Sequence, residues 1–309
     1  MSLTRLLKQR DVRERFKAEF AKPRIALSGG DAFATPSPPK RCALIGTAFD
    51  YVARLHVASI NRNVSCRTWV AESAVRKLEE AIKDGRPVFA PEIKRSTRGL
   101  LKRARAIAQV GREEFERCIL AREVSDGMLA SALLLGQLDQ YYRCGLLSRE
   151  FGTANELDLA DLRNLLTVLG GPPSTNFMAS KVCVLNPTFG EASALVGGAD
   201  ADLLIDDTLV ELKTTKDLEF SADTFRQLMG YYTLSKIGQI SGDVKPKPVI
   251  RNIAIYSSRY GVFHKIAVDT LINAETFPKF MLWFKQRATY GPTGRPQRMQ
   301  CADGVTVYY

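Results

Sequence analysis

The stretch Gly197-Gly-Ala-Asp-Ala-Asp-Leu-Leu-Ile-Asp-Asp-Thr-Leu-Val-Glu-Leu-Lys213 constrains the fold of this chain more than any other. Val, Ile and Leu fill two short arms, and Asp206-Asp207 supplies turn residues between them, the pattern of a β-hairpin. With those two residues as the loop, Asp202 lies across from Glu211 and Asp200 across from Lys213. Alternation then sets Asp202, Glu211 and Lys213 on one face and Leu203, Ile205, Val210 and Leu212 on the other. A loop of three residues would turn Asp202 away, so the reading requires an even-length turn. Two adjacent carboxylates repel unless a cation lies between them, and hard oxygen donors favour Mg²⁺ or Mn²⁺.

Downstream, Thr224-Phe-Arg-Gln-Leu-Met-Gly-Tyr-Tyr232 spaces Gln227 and Tyr231 four residues apart on a predicted helix. Such a pair shares a helix face, and local packing or hydrogen bonding is its simplest use. Upstream, Gly46-Thr-Ala-Phe-Asp-Tyr51 opens a helix that carries Asp50. Taken together, Asp202 followed by Glu211-Leu212-Lys213, then Gln227-x-x-x-Tyr231, resembles the PD-(D/E)xK nuclease superfamily in its RecB-like branch. This chain has Asp50 where that branch carries a helical histidine. The resemblance covers about 45–60 and 180–268.

The resemblance implies an α/β fold: a PD-(D/E)xK (restriction-endonuclease-like) core with a mixed central sheet flanked by helices, and a large helical N-terminal and inserted region. It implies metal-dependent hydrolysis of phosphodiester bonds in nucleic acid, DNA favoured, in repair, recombination or phage defence. Asp202 and Glu211 would hold Mg²⁺ or Mn²⁺, with the Leu212 main-chain carbonyl as a further ligand. Asp200, which fits a Gly-x-x-Asp pattern of the same branch through Gly197, and Asp50 are further candidate ligands. Lys213 would orient or deprotonate a water, or stabilise developing negative charge, and beside a cation its own charge would be disfavoured. Gln227 and Tyr231 would position the nucleophile or the phosphate. Two alternatives share the fold: an inactive nucleic-acid-binding module, and a protein-interaction subunit working through helices in 92–170.

Net charge is +11, a balance that favours a polyanionic partner. Lys94, Arg95, Arg98, Lys102, Arg103 and Arg105 form a basic run, in which Arg98, Lys102 and Arg105 are candidate phosphate contacts. A solvated helix face is the competing reading. No apolar run approaches the length of a membrane span, and the N-terminus has no apolar core of a secretory signal, so a cytoplasmic protein without a membrane partner is expected. Six cysteines, at 42, 66, 118, 144, 183 and 301, include no close pair, and His56 and His264 are the only histidines, which argues against a zinc site. Some RecB-like nucleases hold an iron–sulfur cluster with a tight C-terminal cysteine trio. Cys301 stands alone at this C-terminus, so no such cluster is expected and the cysteines read as free thiols.

The 309 residues suffice for one elaborated domain. Residues 1–45 read as a basic amphipathic helix (3–21) and a loop (28–40), with Leu3, Leu6, Leu7, Phe16 and Phe20 available to dock it on the domain or leave it along a phosphate backbone, docking favoured. Residues 46–288 form the nuclease domain, with a helical insertion at about 68–170, and 289–309 form a tail ending in a short extended segment. Helices are predicted at 46–60, 68–84, through 92–150, and at 157–169, 224–237 and 269–287. Strands are predicted at 181–186 and 193–196, in the central hairpin, and in a late hairpin of 250–256 and 261–268.

Overall fold

The computed structural model describes residues 2–27, 41–61, 64–65, 69–240, 247–290, 299–300 and 306–307. The chain opens with two short helices, α1 (Leu3–Leu7) and α2 (Arg10–Glu19). The long helix α3 (Cys42–Ile60) precedes a two-residue strand, β1 (Val64–Ser65). Four helices follow: α4 (Val70–Lys83), α5 (Leu100–Ala121), α6 (Asp126–Cys144) and α7 (Glu156–Gly170). Then come β2 (Cys183–Leu185), α8 (Glu191–Leu195), β3 (Leu203–Ile205), β4 (Thr208–Lys213) and α9 (Ala222–Ile237). The order closes with β5 (Asn252–Ser257), β6 (Val262–Ala267) and α10 (Phe277–Tyr290). In the tail, β7 (Met299–Gln300) and β8 (Thr306–Val307) pair antiparallel. The predicted loop at 28–40 lies outside the described residues.

The fold is mixed α/β. Its six-stranded sheet runs β1-β2-β3-β4-β5-β6 and is flanked by helices on both faces. The β1–β2 and β4–β5 pairs are parallel and the other three antiparallel. Parallel β4 and β5 need a crossover, which α9 supplies. Alternation along the strands divides the apolar residues as the sequence requires. Leu203, Ile205, Val210 and Leu212 face a core built with α3 to α7. Val184, Leu204, Leu209, Ile253 and Ile255 face a second core built with α1, α2 and α8 to α10.

The N-terminal segment docks, as its leucines favour. Leu3, Leu6 and Leu7 are buried against the second core, and burial of each contributes about 1.5–3 kcal/mol. Gly230 of α9 makes the approach close: a Cβ there would stand 3.2 Å from a Leu7 methyl and 3.3 Å from a Leu3 methyl. Phe16 packs edge-on to Phe280 of α10, with ring centroids 5.0 Å apart.

The structure corrects several sequence expectations. The helix expected over 3–21 is broken at Lys8–Gln9, because α1 packs on α9 while Arg287 of α10 grips Asp11 (Nε to Oδ2, 2.6 Å) and Gln9 at the joint. Residues 92–150 are not helical throughout. Gly99, at φ 71°, starts α5, and Arg122, at φ 55°, ends it. Ahead of α5, Arg95 donates to the carbonyls of Arg149 and Phe151. The strand expected at 193–196 is the helix α8: Glu, Ala and Leu are good helix formers, and the Ser193 hydroxyl donates to the Ala199 carbonyl. The last long helix starts at Phe277 rather than 269, with Pro278 in its first turn.

Candidate active site

The turn between β3 and β4 has two residues, and the register pairs Leu203 with Val210 and Ile205 with Thr208. Asp206 adopts φ 51°, a conformation that Asp tolerates better than most residues. Its carboxylate accepts from the backbone N–H groups of Ser180, Lys181 and Val182, at 2.9, 2.7 and 2.9 Å. Asp207 accepts from the Asn252 amide at 3.0 Å, which ties the turn to β5. Carried one residue outward from the Leu203–Val210 pair, this register sets Asp202 opposite Glu211. The Asp202 carboxylate accepts from the Leu212 N–H at 2.6 Å. Asp200 does not continue the ladder to Lys213. It bridges to Thr188 instead and is exposed.

Beyond the hairpin, Lys213 Nζ donates to Glu211 Oε1 at 2.6 Å and to Gln227 Oε1 at 3.2 Å. Gln227 Nε2 donates to the Tyr231 hydroxyl at 2.8 Å. The local pairing that spacing alone suggests for Gln227 and Tyr231 is therefore present, and it is joined to the Glu-x-Lys strand. The serine N-cap Ser221 accepts from Thr224 N and starts α9, fixing the phase at which Gln227 meets Lys213. The far end of β4 is held from β5: Ser258 N and Oγ donate to the Lys213 carbonyl, and Arg259 Nε donates to that of Thr214. The fully buried Arg259 also makes a two-pronged ion pair with Asp161 of α7, at 2.8 and 3.0 Å.

Asp50, Asp200, Asp202, Glu211, Leu212, Lys213, Gln227 and Tyr231 line one cavity of about 410 Å³. The sequence reading missed other parts of its wall: Ser2, Leu3 and Thr4 of the N-terminal segment, Thr47 of α3, Arg143 of α6, and Thr214. No local signal marks them, because they come from elements far apart in the chain. Arg54 was also overlooked, although its place one turn after Asp50 is a sequence signal. It is buried, donates to the Asp50 carbonyl at 2.8 Å, and lies 4.7 Å from the Tyr51 ring centroid. Arg98, Lys102 and Arg105 do not line this cavity. Arg98 precedes α5 and Lys102 and Arg105 lie in its first turns, all exposed, with Arg105 paired to Glu79 at 2.8 Å.

Burial dominates the electrostatics. It pushes the Glu211 carboxyl up to about 8, helped by the charge of Asp202 and opposed by Lys213. Burial, with Asp202, holds Asp50 well above the usual carboxylate range, against the pull of Arg54. Asp202 is raised by burial, although the Leu212 N–H and the charges of Lys213 and Arg54 favour its ionised form. For Lys213, burial works against the charged form, but the charge and hydrogen bond of Glu211 together with the charges of Asp202 and Asp50 outweigh it, and the ammonium is favoured.

Among the described residues, no group of three or more His, Cys, Asp or Glu side chains forms a ready-made metal cage. Glu211 nevertheless leaves Oε2 buried with no hydrogen-bond partner, a costly state for a carboxylate oxygen. Glu211, Asp202 and the Leu212 carbonyl are hard oxygen donors of the kind Mg²⁺ and Mn²⁺ take, alongside retained water. The donor set fits such a cation. No helix among the described residues is long and apolar enough to cross a membrane. Comparisons with protein-family models, curated proteins and solved structures find no match.

Proposed function

We propose that this chain is a PD-(D/E)xK-type nuclease that hydrolyses nucleic-acid phosphodiester bonds, DNA favoured, using Mg²⁺ or Mn²⁺. One observation carries the reading. Asp50, Asp202, Glu211, Lys213, Gln227 and Tyr231, drawn from three separate elements and the loop before β3, meet at a single cavity, where Glu211 keeps an unpartnered buried oxygen. Buried titratable groups with strongly shifted protonation, gathered at a cavity, are concentrated at functional sites.

Asp202, Glu211 and the Leu212 carbonyl would hold the cation, with Asp50 beside them on α3 and Asp200 at the rim. A bound divalent ion supplies Lewis acidity and a water of lowered pKa. The chain supplies the rest. Lys213, oriented by Glu211 and Gln227, presents its ammonium to charge developing on the phosphate. Tyr231, stacked on Phe189 with ring centroids 5.7 Å apart, fixes Gln227, and Gln227 in turn limits where Nζ can point.

A second reading, an inactive binding or interaction subunit, draws on the absence of a ready-made metal cage among the described residues. A cleavage assay separates the two. Wild-type protein should cut DNA with Mg²⁺ or Mn²⁺ and not with EDTA. Lys213→Ala should lose cleavage while keeping its circular dichroism and its Mn²⁺ binding. Absence of both Mn²⁺ binding and cleavage in the wild type would favour the inactive subunit.

A further inference from the structure

The cavity is acidic inside, yet the proposed substrate is a polyanion. Among the described residues that line it, Arg143 and Lys213 are the cations. Lys213 is committed to Glu211 and Gln227. Arg143, in the last turn of α6, is exposed and makes no ion pair among the described residues. Other arginines around the helical layer are engaged: Arg105 with Glu79, Arg112 with Glu72, Arg163 with Asp126. Arg98 and Arg122 form no ion pair among the described residues either, so Arg143 differs in place: it reaches an acidic cavity without being neutralised there. Its charge is felt by Asp50 and Asp139, the carboxylates on α3 and α6 behind that wall.

We infer that Arg143 is a substrate-binding residue, holding a phosphate of the nucleic-acid strand at the cavity mouth opposite Lys213. A guanidinium suits the task, because its planar fork donates two parallel hydrogen bonds to a phosphate, whereas an ammonium acts as a point charge. Placed at the rim, it would draw the strand past the repulsion of Asp50 and Asp200 and set one phosphate while the next lies at Glu211 and Lys213. The plain alternative is that Arg143 only complements the C-terminal end of the α6 dipole and the neighbouring carboxylates.

This inference rests on the nuclease reading, and the test separates their failures. Binding of a labelled single-stranded DNA oligonucleotide to the full chain is measured in Ca²⁺ over a range of NaCl, for wild type, Arg143→Ala and Arg143→Lys. Arg143→Ala should bind about ten- to a hundred-fold more weakly, the loss of one charge-assisted contact. Its log-affinity against log-salt slope should be shallower by about 0.7, the effect of one phosphate contact on a single strand. Arg143→Lys should keep the slope and recover only part of the affinity. A merely structural arginine would alter melting temperature or Mn²⁺ affinity and leave the slope unchanged, and that result overturns the inference. A wild type that cleaves with Mn²⁺ while Arg143→Ala keeps the same slope leaves the nuclease reading standing alone. A wild type that neither binds nor cleaves the oligonucleotide overturns both.

Discussion

Replacing Glu211 by Gln should stabilise the metal-free protein, by an amount that depends on pH. Glu211 is buried, and its carboxyl titrates near 8 in the folded chain against 4.5 ordinarily. The folded state thus binds a proton that the unfolded chain gives up. This contribution to stability is fully present below pH 4.5 and is lost progressively as pH rises towards 8. At about 1.4 kcal/mol per pH unit, the penalty reaches about 3 kcal/mol at pH 7 and stays under about 1 kcal/mol at pH 5. Gln has nearly the same shape and no charge to desolvate, and its carbonyl oxygen can still accept from Lys213. Urea unfolding in EDTA should find Glu211→Gln more stable than wild type by about 2–3 kcal/mol at pH 7, with the gap nearly closed at pH 5. Mn²⁺ should then reverse the order, because a cation that binds only the folded wild type adds stability in proportion to RT ln(1 + [Mn²⁺]/Kd). A variant less stable than wild type at pH 7, or a gap that does not change with pH, would refute the assignment of a desolvated carboxyl poised for a cation.

Two further outcomes are expected. Asp161→Ala, which removes the buried partner of Arg259, should cost about 3–5 kcal/mol in chemical denaturation, and Asp161→Asn less. A cost under about 1 kcal/mol would mean that the pair does not hold the end of β4. In the basic run, Arg98→Ala with Lys102→Ala should flatten the salt dependence of nucleic-acid binding more than Arg105→Ala does, since Arg105 is already paired with Glu79. Equal slopes in all three proteins would mark this run as a solvated face.

The central hairpin was readable because its information is local. Alternation divided the residues between two faces, and the two-residue turn that Asp206-Asp207 suggested is the one the structure has, so Asp202 does lie opposite Glu211. The phase of α9 was also readable from the four-residue spacing of Gln227 and Tyr231, although the helix starts at Ala222, capped by Ser221, rather than at 224. What escaped depends on distant partners. The break at Gln9 is set by Arg287, and the clamp on β4 joins Arg259 to Asp161 in another layer. The short α8 misled because a few apolar residues fit strand and helix alike. Asp200 seemed level with Lys213, but its pairing with Thr188 bends the chain away before the ladder reaches it.

The route of the chain also bears on the order in which the site takes shape. Asp202, Glu211, Lys213, Gln227 and Tyr231 all lie in the continuous segment from β3 through α9, where contacts are close in sequence and quick to form. Asp50 and Arg143 arrive from α3 and α6, across much longer loop closures. A nascent or partly folded chain can therefore hold the hairpin and α9 together before the helical wall closes over them. In that intermediate the carboxylates would still be hydrated and inexpensive to ionise. If the hairpin and α9 do form first, Asp50→Ala should change the unfolding rate more than the folding rate, and the reverse result would exclude that order.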